Sequence, residues 1–184
     1  QEMRNLSFFF LSLFFISCDQ EIIPKPKAYL SLEYPKKAYQ KLPISRPYTF
    51  DVLESSVLKD EQKSWLKITY PALKASIDIT YREVDANILE LVKEAEKLVF
   101  KHTLKAEEIT SKDFLNTKKK VFGSMYEITG NAASQIQFHA TDSTKNFIKG
   151  SLYFYTKPNY DSILPAVAYI KKDILRLMET LKWQ

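Results

Sequence analysis

The stretch Trp65-Leu-Lys-Ile-Thr-Tyr70 alternates apolar and polar residues, and Ser76-Ile-Asp-Ile-Thr-Tyr-Arg82 repeats the pattern five residues later. Alternation with a period of two places one set of side chains on each face of a β-strand. The connecting Pro71-Ala-Leu-Lys-Ala75 has a length that suits a hairpin. The two runs therefore predict neighbouring antiparallel strands.

Two further patterns flank this hairpin. On its N-terminal side, Tyr48–Glu54 alternates well enough to predict a strand. On its C-terminal side, Asp85 is a candidate N-cap for a helix that we expect to reach about Thr103. The apolar residues of this helix are spaced three and four apart: Ile88, Leu91, Val92, Ala95, Leu98 and Val99. A second, weaker helical stretch is expected from Ser111 to Leu115.

The next part of the chain returns to strand patterns. Three strands are predicted, and they cover Val121–Thr129, Ser134–Thr141 and Phe147–Tyr155. The connections Gly130–Ala133 and Asp142–Asn146 contain residues that favour turns. Gly123 and Gly150 lie inside strands, where glycine usually marks a bulge or a close approach of another chain segment.

The last predicted element is a helix from about Ser162 to Lys182. Pro165 is expected in its first turn, where a missing N–H has no cost. The apolar stripe of this helix consists of Val167, Ile170, Ile174, Leu177, Met178 and Leu181. The resulting order, βββ-α-βββ-α with short links, predicts an α+β fold in which helices pack on an antiparallel sheet. The pattern leaves open whether one or both sheet faces are covered.

Composition excludes several classes of protein. The chain has 184 residues, one cysteine, three glycines, two histidines and a net charge of +5. One cysteine cannot form an internal disulfide, and no two glycines are close enough for a glycine-rich phosphate loop. The basic residues form only short clusters: Lys25 and Lys27, Lys36-Lys37, Lys118–Lys120 and Lys171-Lys172. We therefore expect no cofactor, no metal and no nucleic-acid partner.

One short segment contains the residue types of a Ser-His-Asp triad, namely His139, Asp142 and Ser143. No nucleophile elbow accompanies them, and Asp142 and Ser143 are also favoured residues for opening a turn. The alternation of the strand places His139 on the face opposite to Phe138 and its apolar neighbours. We therefore predict no catalytic site there, and no metal site, since three or four ligands are needed.

Other polar and aromatic groups also receive structural interpretations. His102 is expected near a helix C-terminus, where a cation interacts favourably with the helix dipole. Glu107, Glu108 and Asp113 are interpreted as a solvated helix start. The late aromatic residues are interpreted as core and rim packing, with an exposed tyrosine stripe for protein contact as the alternative. They are Tyr153, Phe154, Tyr155, Tyr160 and Trp183.

The N-terminus has the features of a targeting signal. Arg4 supplies a positive charge, and Leu6–Ile16 is an apolar run that is well short of the roughly 20 residues of a membrane-spanning helix. Ser17 and Cys18 follow directly, which is the pattern of a bacterial lipoprotein signal. We predict that residues 1–17 are a signal peptide and that the Cys18 thiol is lipidated. The alternative is an ordinary secretory signal with a chance cysteine.

Residues 18–47 are predicted to form a proline-rich tether ahead of a single α+β domain at residues 48–184. Five of the eight prolines lie in this segment, and proline-rich chain is extended. Large apolar residues are interleaved with them: Tyr29, Leu30, Leu32, Tyr34 and Tyr39. This composition favours a strap that packs partly along the domain. The alternative is a peptide motif displayed to a partner.

Several segments resemble a known family. They are Pro24–Leu30 with Leu32–Pro35, Gln137–Thr144, Gly150–Tyr155 with Pro158–Ser162, and Leu177–Leu181. Together with the lipoprotein signal they resemble the gliding motility lipoprotein GldD family of Bacteroidota. The resemblance implies an envelope lipoprotein needed for surface gliding, which is tied to a dedicated protein secretion system. It assigns no active residues apart from the lipidated cysteine, which matches Cys18. The coarse topology is also similar to PsbP-like sandwich folds.

The functional hypothesis is a non-catalytic envelope protein that is anchored to a membrane by acyl chains such as palmitate. Its partners would be other proteins of the gliding and secretion machinery. Two alternatives remain at this point. One is a binder of an envelope lipid or glycan in a pocket beside the sheet. The other is a hydrolase that acts on envelope polymers through His139 and Asp142.

Overall fold

The computed structural model describes Tyr34 and residues 36–101, 105–155 and 159–184. These residues belong to one packed unit. Cys18, the predicted signal peptide, residues 18–33 of the predicted tether and His102 lie outside the described residues.

The described residues form eleven strands and two α-helices. The strands are β1 (Tyr39–Lys41), β2 (Tyr48–Thr49), β3 (Asp51–Leu53), β4 (Val57–Asp60), β5 (Leu66–Tyr70), β6 (Ala75–Glu83), β7 (Ala106–Asn116), β8 (Val121–Gly130), β9 (Ile136–Thr141), β10 (Asn146–Phe154) and β11 (Lys182–Trp183). The helices are α1 (Ile88–Phe100) and α2 (Tyr160–Thr180).

The centre of the fold is a seven-stranded antiparallel sheet in the order β4-β5-β6-β10-β9-β8-β7. The predicted hairpin is confirmed, because β5 pairs with β6 so that Leu66 faces Ile79 and Ile68 faces Ile77. All four side chains are buried. The connection is a 3₁₀ turn at Pro71–Leu73.

Helices cover both faces of the sheet, which settles the question that the sequence pattern left open. On one face α2 buries its whole predicted apolar stripe against residues such as Phe138 and Ile148. On the other face α1 packs Leu91 and Ala95 against Phe147. The helix α1 lies over β8, β9 and β10, and no helix among the described residues packs on the same face of β4 and β5. We call this uncovered half of the sheet, on which Val57 of β4 lies beside Thr69 of β5, the open face.

The segment Tyr48–Glu54 was predicted to be one strand of the antiparallel sheet, but it does not belong to the seven-stranded sheet. It is divided into β2, which pairs with β11, and β3, which pairs with β1. Tyr48, Thr49 and Phe50 are all buried, so this segment does not alternate between a core and a solvent face. One partner, β11, comes from the far end of the chain, where a local pattern cannot reveal it. The other, β1, lies shortly before this segment, in the part of the chain that was predicted to be a tether.

The predicted helical stretch Ser111–Leu115 is also wrong, because these residues belong to the strand β7. This strand pairs with β8 from Ala106 to Asn116, with an irregularity between Ala106 and Ile109. It lies at one edge of the sheet, and most of its side chains are exposed. Such an edge strand lacks the clean alternation that marks a half-buried strand. The other edge strand, β4, was not predicted.

The helix boundaries differ from the predicted ones by a few residues. The N-cap position of α1 is held by Asn87 and not by Asp85, and Asn87 Oδ1 accepts the N–H of Asp85. The helix α2 begins at Tyr160, so Pro165 stands in its second turn and not in its first. It ends at Thr180 because the chain becomes extended and Lys182 joins β11.

The two glycines inside strands mark close approaches, as predicted. A Cβ atom on Gly123 would lie 2.0 Å from the carbonyl oxygen of His139. A Cβ atom on Gly150 would lie 2.2 Å from the ring of Phe138. Any side chain at either position would therefore force neighbouring strands or rings to move.

Candidate functional site

His139 is a buried core residue. Its side chain is on the α1 side of the sheet, opposite to Phe138, and the whole residue is 5% exposed. Its ring lies between the ring of Tyr126, with centroids 6.2 Å apart, and the ring of Phe147, at 5.8 Å. Burial lowers the pKa of His139, which favours the neutral imidazole. This setting matches structural packing, and not a group that exchanges protons with a substrate.

The carboxylate of Asp142 is engaged within its own turn. Its Oδ1 accepts the backbone N–H groups of Thr144 (2.9 Å), Lys145 (2.7 Å) and Asn146 (2.9 Å). Its Oδ2 accepts the side-chain amide of Asn146 at 2.7 Å. Burial alone would raise its pKa, but these donors bring the pKa of Asp142 down to about 2. The carboxylate therefore orients the turn and makes no recorded contact with His139.

Ser143 is exposed in the same turn at a positive φ of 68°, and its N–H donates to Thr141 Oγ1. The three triad residue types thus have separate structural roles. Glu107, Glu108 and Asp113 lie on the edge strand β7 and not at a helix start, which corrects that interpretation. The described residues contain no group of three or more His, Cys, Asp or Glu residues that could hold a metal ion.

A buried carboxylate that joins the two ends of the domain was not predicted from the sequence. Asp173 lies within the apolar stripe of α2 and is 5% exposed. Its Oδ1 accepts hydrogen bonds from Lys37 Nζ at 2.5 Å and from Tyr39 Oη at 2.6 Å. We call this set, with Tyr169, the Asp173 clamp. It ties residues of the predicted tether to the last helix.

Aromatic rings complete the clamp. Lys37 Nζ also donates to the carbonyl of Tyr169 at 2.6 Å and lies 3.8 Å from the centroid of its ring. The ring of Tyr34 stacks on Tyr169 with centroids 4.5 Å apart. Burial lowers the pKa of Lys37, against the opposing effect of Asp173. Burial and the hydrogen bond to Asp173 together raise the pKa of Tyr39.

A second set of contacts supports the same docking. Arg176 donates from Nε and Nη2 to Asp51 Oδ2, at 2.9 and 2.6 Å, and its guanidinium lies over the ring of Tyr39. The strand β1 pairs with β3, and the N–H of Leu42 donates to the carbonyl of Phe50 at 2.8 Å. One signal in the sequence could have revealed the clamp. Asp173 falls on the buried side of an amphipathic helix, where a carboxylate requires a buried partner.

The predicted aromatic cluster divides between core and surface. Phe154 and Trp183 pack against the main core, whereas Tyr153 and Tyr155 are 37% and 57% exposed. Tyr153 is in register with Ser76, Thr69 and Val57 across four strands, so these residues share the open face. Val57 is 54% exposed. The exposed tyrosine stripe, which was the alternative interpretation, is therefore present on this face.

A groove lies where the open face meets the end of α1. Its volume is about 440 Å³. Its walls and floor come from Asp78, Thr80, Leu98, Lys101, Gln137, Lys149, Ser151 and Tyr153. A pocket beside the sheet was an alternative hypothesis from the sequence, but none of its residues was predicted, because the groove combines residues from three strands and a helix that are far apart in sequence.

Within the described part of the chain, no helix is both long enough and apolar enough to cross a bilayer. Among solved structures the fold is similar to the solution structure of cyanobacterial PsbP (CyanoP) from Synechocystis sp. PCC 6803, with a TM-score of 0.51 and 7% identity. The similarity covers 83% of this chain and 96% of that one, which confirms the predicted sandwich-like α+β fold. A search of curated proteins found no significant match in sequence. Residues 19–183 match the family described as gliding motility lipoprotein GldD, and the chain therefore belongs to that family.

Proposed function

We propose that this chain is a lipid-anchored, non-catalytic component of the gliding machinery that acts by binding another protein of that machinery or of the associated secretion system. Membership of the family connects the chain with gliding motility and with a lipoprotein of the cell envelope. The observation that carries the binding role is the open face, where Val57, Tyr153 and Tyr155 are exposed on the side of the sheet that also carries Lys59. Aromatic residues are enriched in protein interfaces.

Cys18 is the proposed attachment point, after removal of residues 1–17. The apolar run ends directly before this cysteine, and the family match begins at the residue after it. The Asp173 clamp then limits the reach of the domain. Sixteen peptide steps separate Cys18 from Tyr34, and they span at most about 55 Å. The domain would therefore work close to the membrane surface that holds the lipid.

The settings of the triad residue types favour binding over hydrolysis. The carboxylate of Asp142 is occupied by four donors of its own turn, and His139 is stacked between two aromatic rings. A general base must lie within hydrogen-bond reach of the proton that it removes. Neither side chain presents itself to an open cleft in this way.

Photo-crosslinking in gliding cells tests the binding role. A photoreactive amino acid replaces Tyr155 on the open face, and a second strain carries it at Leu115, which is exposed on the opposite edge strand. We expect a defined component of the gliding or secretion machinery to be captured from Tyr155 and not from Leu115. Equal capture at the two positions, or capture at neither, would contradict the proposal.

A further inference from the structure

The groove beside α1 has the size of a ligand site and is open to solvent along one side. Its volume of about 440 Å³ lies within the range of small-molecule pockets. One wall is formed by Leu98 and Lys101 at the end of α1, and the other by Tyr153 on the sheet. The groove shares Tyr153 with the open face, whereas Tyr155, the position from which the proposed protein contact is tested, does not line it.

The floor of the groove is polar although it is buried. Gln137 on β9 and Ser151 on β10 are directly paired across the sheet and are 4% and 9% exposed. Thr80 contributes a further hydroxyl group. An amide and two hydroxyls offer both donors and acceptors at one place. This combination suits a ligand that itself carries several hydroxyl groups.

The charges of the groove favour an anion. Among the described residues that line it, Asp78 is the one acid, and it already accepts Ser76 Oγ at 2.7 Å and pairs with Lys67 at 3.0 Å. Lys149 is largely buried, and its recorded ion pair with Glu94 is long, at 3.7 Å. That same Glu94 is already bound by an arginine at 2.7 Å. The arginine uses Oε2 of Glu94 and Lys149 faces Oε1. Because an ammonium group carries three N–H donors, Lys149 can bind a second anion beside this long ion pair.

We propose that this groove binds an anionic saccharide, a ligand class that goes beyond the proposed protein contact. The sugar hydroxyls would bond to Gln137 and Ser151, and a carboxylate or phosphate substituent would pair with Lys149 and Lys101. The ring of Tyr153 would pack against the less polar face of the sugar. Two sources share this chemistry, namely an acidic polysaccharide and the phosphorylated headgroup of a glycolipid.

Isothermal titration of the purified full chain, held on phospholipid nanodiscs without detergent, tests the proposal. The probes are tetragalacturonate, which is acidic, the neutral maltotetraose, and vesicles with or without lipid A. We expect an acidic probe to bind with an affinity that falls as salt rises, and the neutral sugar to bind at least tenfold more weakly. Lys149→Gln should weaken the acidic interaction by about tenfold or more. The control is Lys112→Gln, which removes an exposed lysine from the edge strand β7.

Each outcome decides the matter. Binding of tetragalacturonate that Lys149→Gln weakens identifies an acidic polysaccharide, and the same result only with lipid A vesicles identifies a glycolipid. Binding of neither acidic probe, equal binding of the neutral sugar, or an unchanged affinity in Lys149→Gln overturns the proposal. A matching melting temperature by circular dichroism shows that the variant is folded. Capture from position 155 should persist in Lys149→Gln, so that failure of the groove and failure of the protein contact are distinguished.

Discussion

At the scale of the residue, Asp142 connects the sequence with the structure. An aspartate at this position predicted a turn, and the hydrogen bonds of its carboxylate determine whether it could also act as an acid or a base. Aspartate favours turns because its side chain accepts backbone N–H groups a few residues onward. Here three such groups and one amide converge on a single carboxylate. An oxygen atom that is fully used in this way has little basicity left for chemistry.

The low pKa of Asp142 predicts a loss of stability in acid. The native value of about 2 is below the ordinary value of 3.8, so the ionised form stabilises the folded state at neutral pH. This stabilisation is complete when the pH is above the pKa that Asp142 has in the unfolded chain, and it is lost as the pH falls from about 4 to about 2. We expect Asp142→Asn to lower the free energy of unfolding at pH 7 by about 1 to 2 kcal/mol. Urea unfolding at several pH values measures both effects.

The matched control is Asp85→Asn, which changes an exposed carboxylate in the loop before α1. We expect Asp85→Asn to retain the acid-dependent loss of stability, whereas Asp142→Asn should show a smaller loss below pH 4. Identical pH profiles for the parent chain and Asp142→Asn would refute the role assigned to this turn.

Asp173 shows which part of the Asp173 clamp could be predicted from the sequence and which part could not. The apolar stripe of α2 was predicted correctly, because its residues recur at helical spacing. The acid lies on the same buried side, and physical reasoning would have required a buried cation for it. The identity of that cation is not local information, since Lys37 is 136 residues away. The groove was likewise beyond reach, because Gln137 and Lys149 meet only through strand register.

At the scale of the element, local hairpins were predictable and distant pairings were not. Short turns join β5 to β6, and join β8, β9 and β10 to one another, and the alternation of these strands shows in the sequence. The strand β7 was mistaken for a helix because an exposed edge imposes little pattern. The segment from Tyr48 to Leu53 pairs with β1 and with β11, which come from opposite ends of the domain.

The docking of residues 36–53 on α2 predicts a large effect from one lysine. Lys37→Met should leave the carboxylate of Asp173 buried without its cation. Breaking a buried ion pair by removing one partner destabilises by about 3 to 5 kcal/mol, and we expect about 3 kcal/mol here because Tyr39 still donates to Asp173. Urea unfolding followed by tryptophan fluorescence measures the change.

Two companion variants make that measurement specific. Lys36→Met removes the neighbouring exposed lysine and should change stability by less than about 0.5 kcal/mol. The double variant Lys37→Met with Asp173→Leu replaces both charges by apolar groups and should recover much of the loss. A loss in Lys37→Met no larger than in Lys36→Met would show that the clamp does not hold this segment on the helix.

At the scale of the whole molecule, the proposed lipid anchor, the Asp173 clamp and the sheet have successive roles in the proposed function. The proposed lipid at Cys18 holds the chain, the Asp173 clamp and Tyr34 dock on α2, and the sheet carries the open face and the groove. Confinement near a surface raises the effective concentration of a weakly binding domain. Modest contacts at Tyr155 or at Lys149 would then suffice for the proposed binding function.

The anchor itself gives the last prediction. Cys18→Ala removes the acceptor thiol but leaves the domain sequence unchanged, so the chain should fold normally and lose its membrane attachment. Two acyl chains, at about 0.8 kcal/mol for each buried CH₂, hold a protein on a bilayer far more firmly than surface lysines do. Fractionation should move the variant from membranes to the soluble fraction, and labelling with an alkyne fatty acid should disappear. Ser17→Ala keeps a small residue before the cysteine and should retain both. If Cys18→Ala still sedimented with membranes, the cysteine would be a chance residue after an ordinary secretory signal.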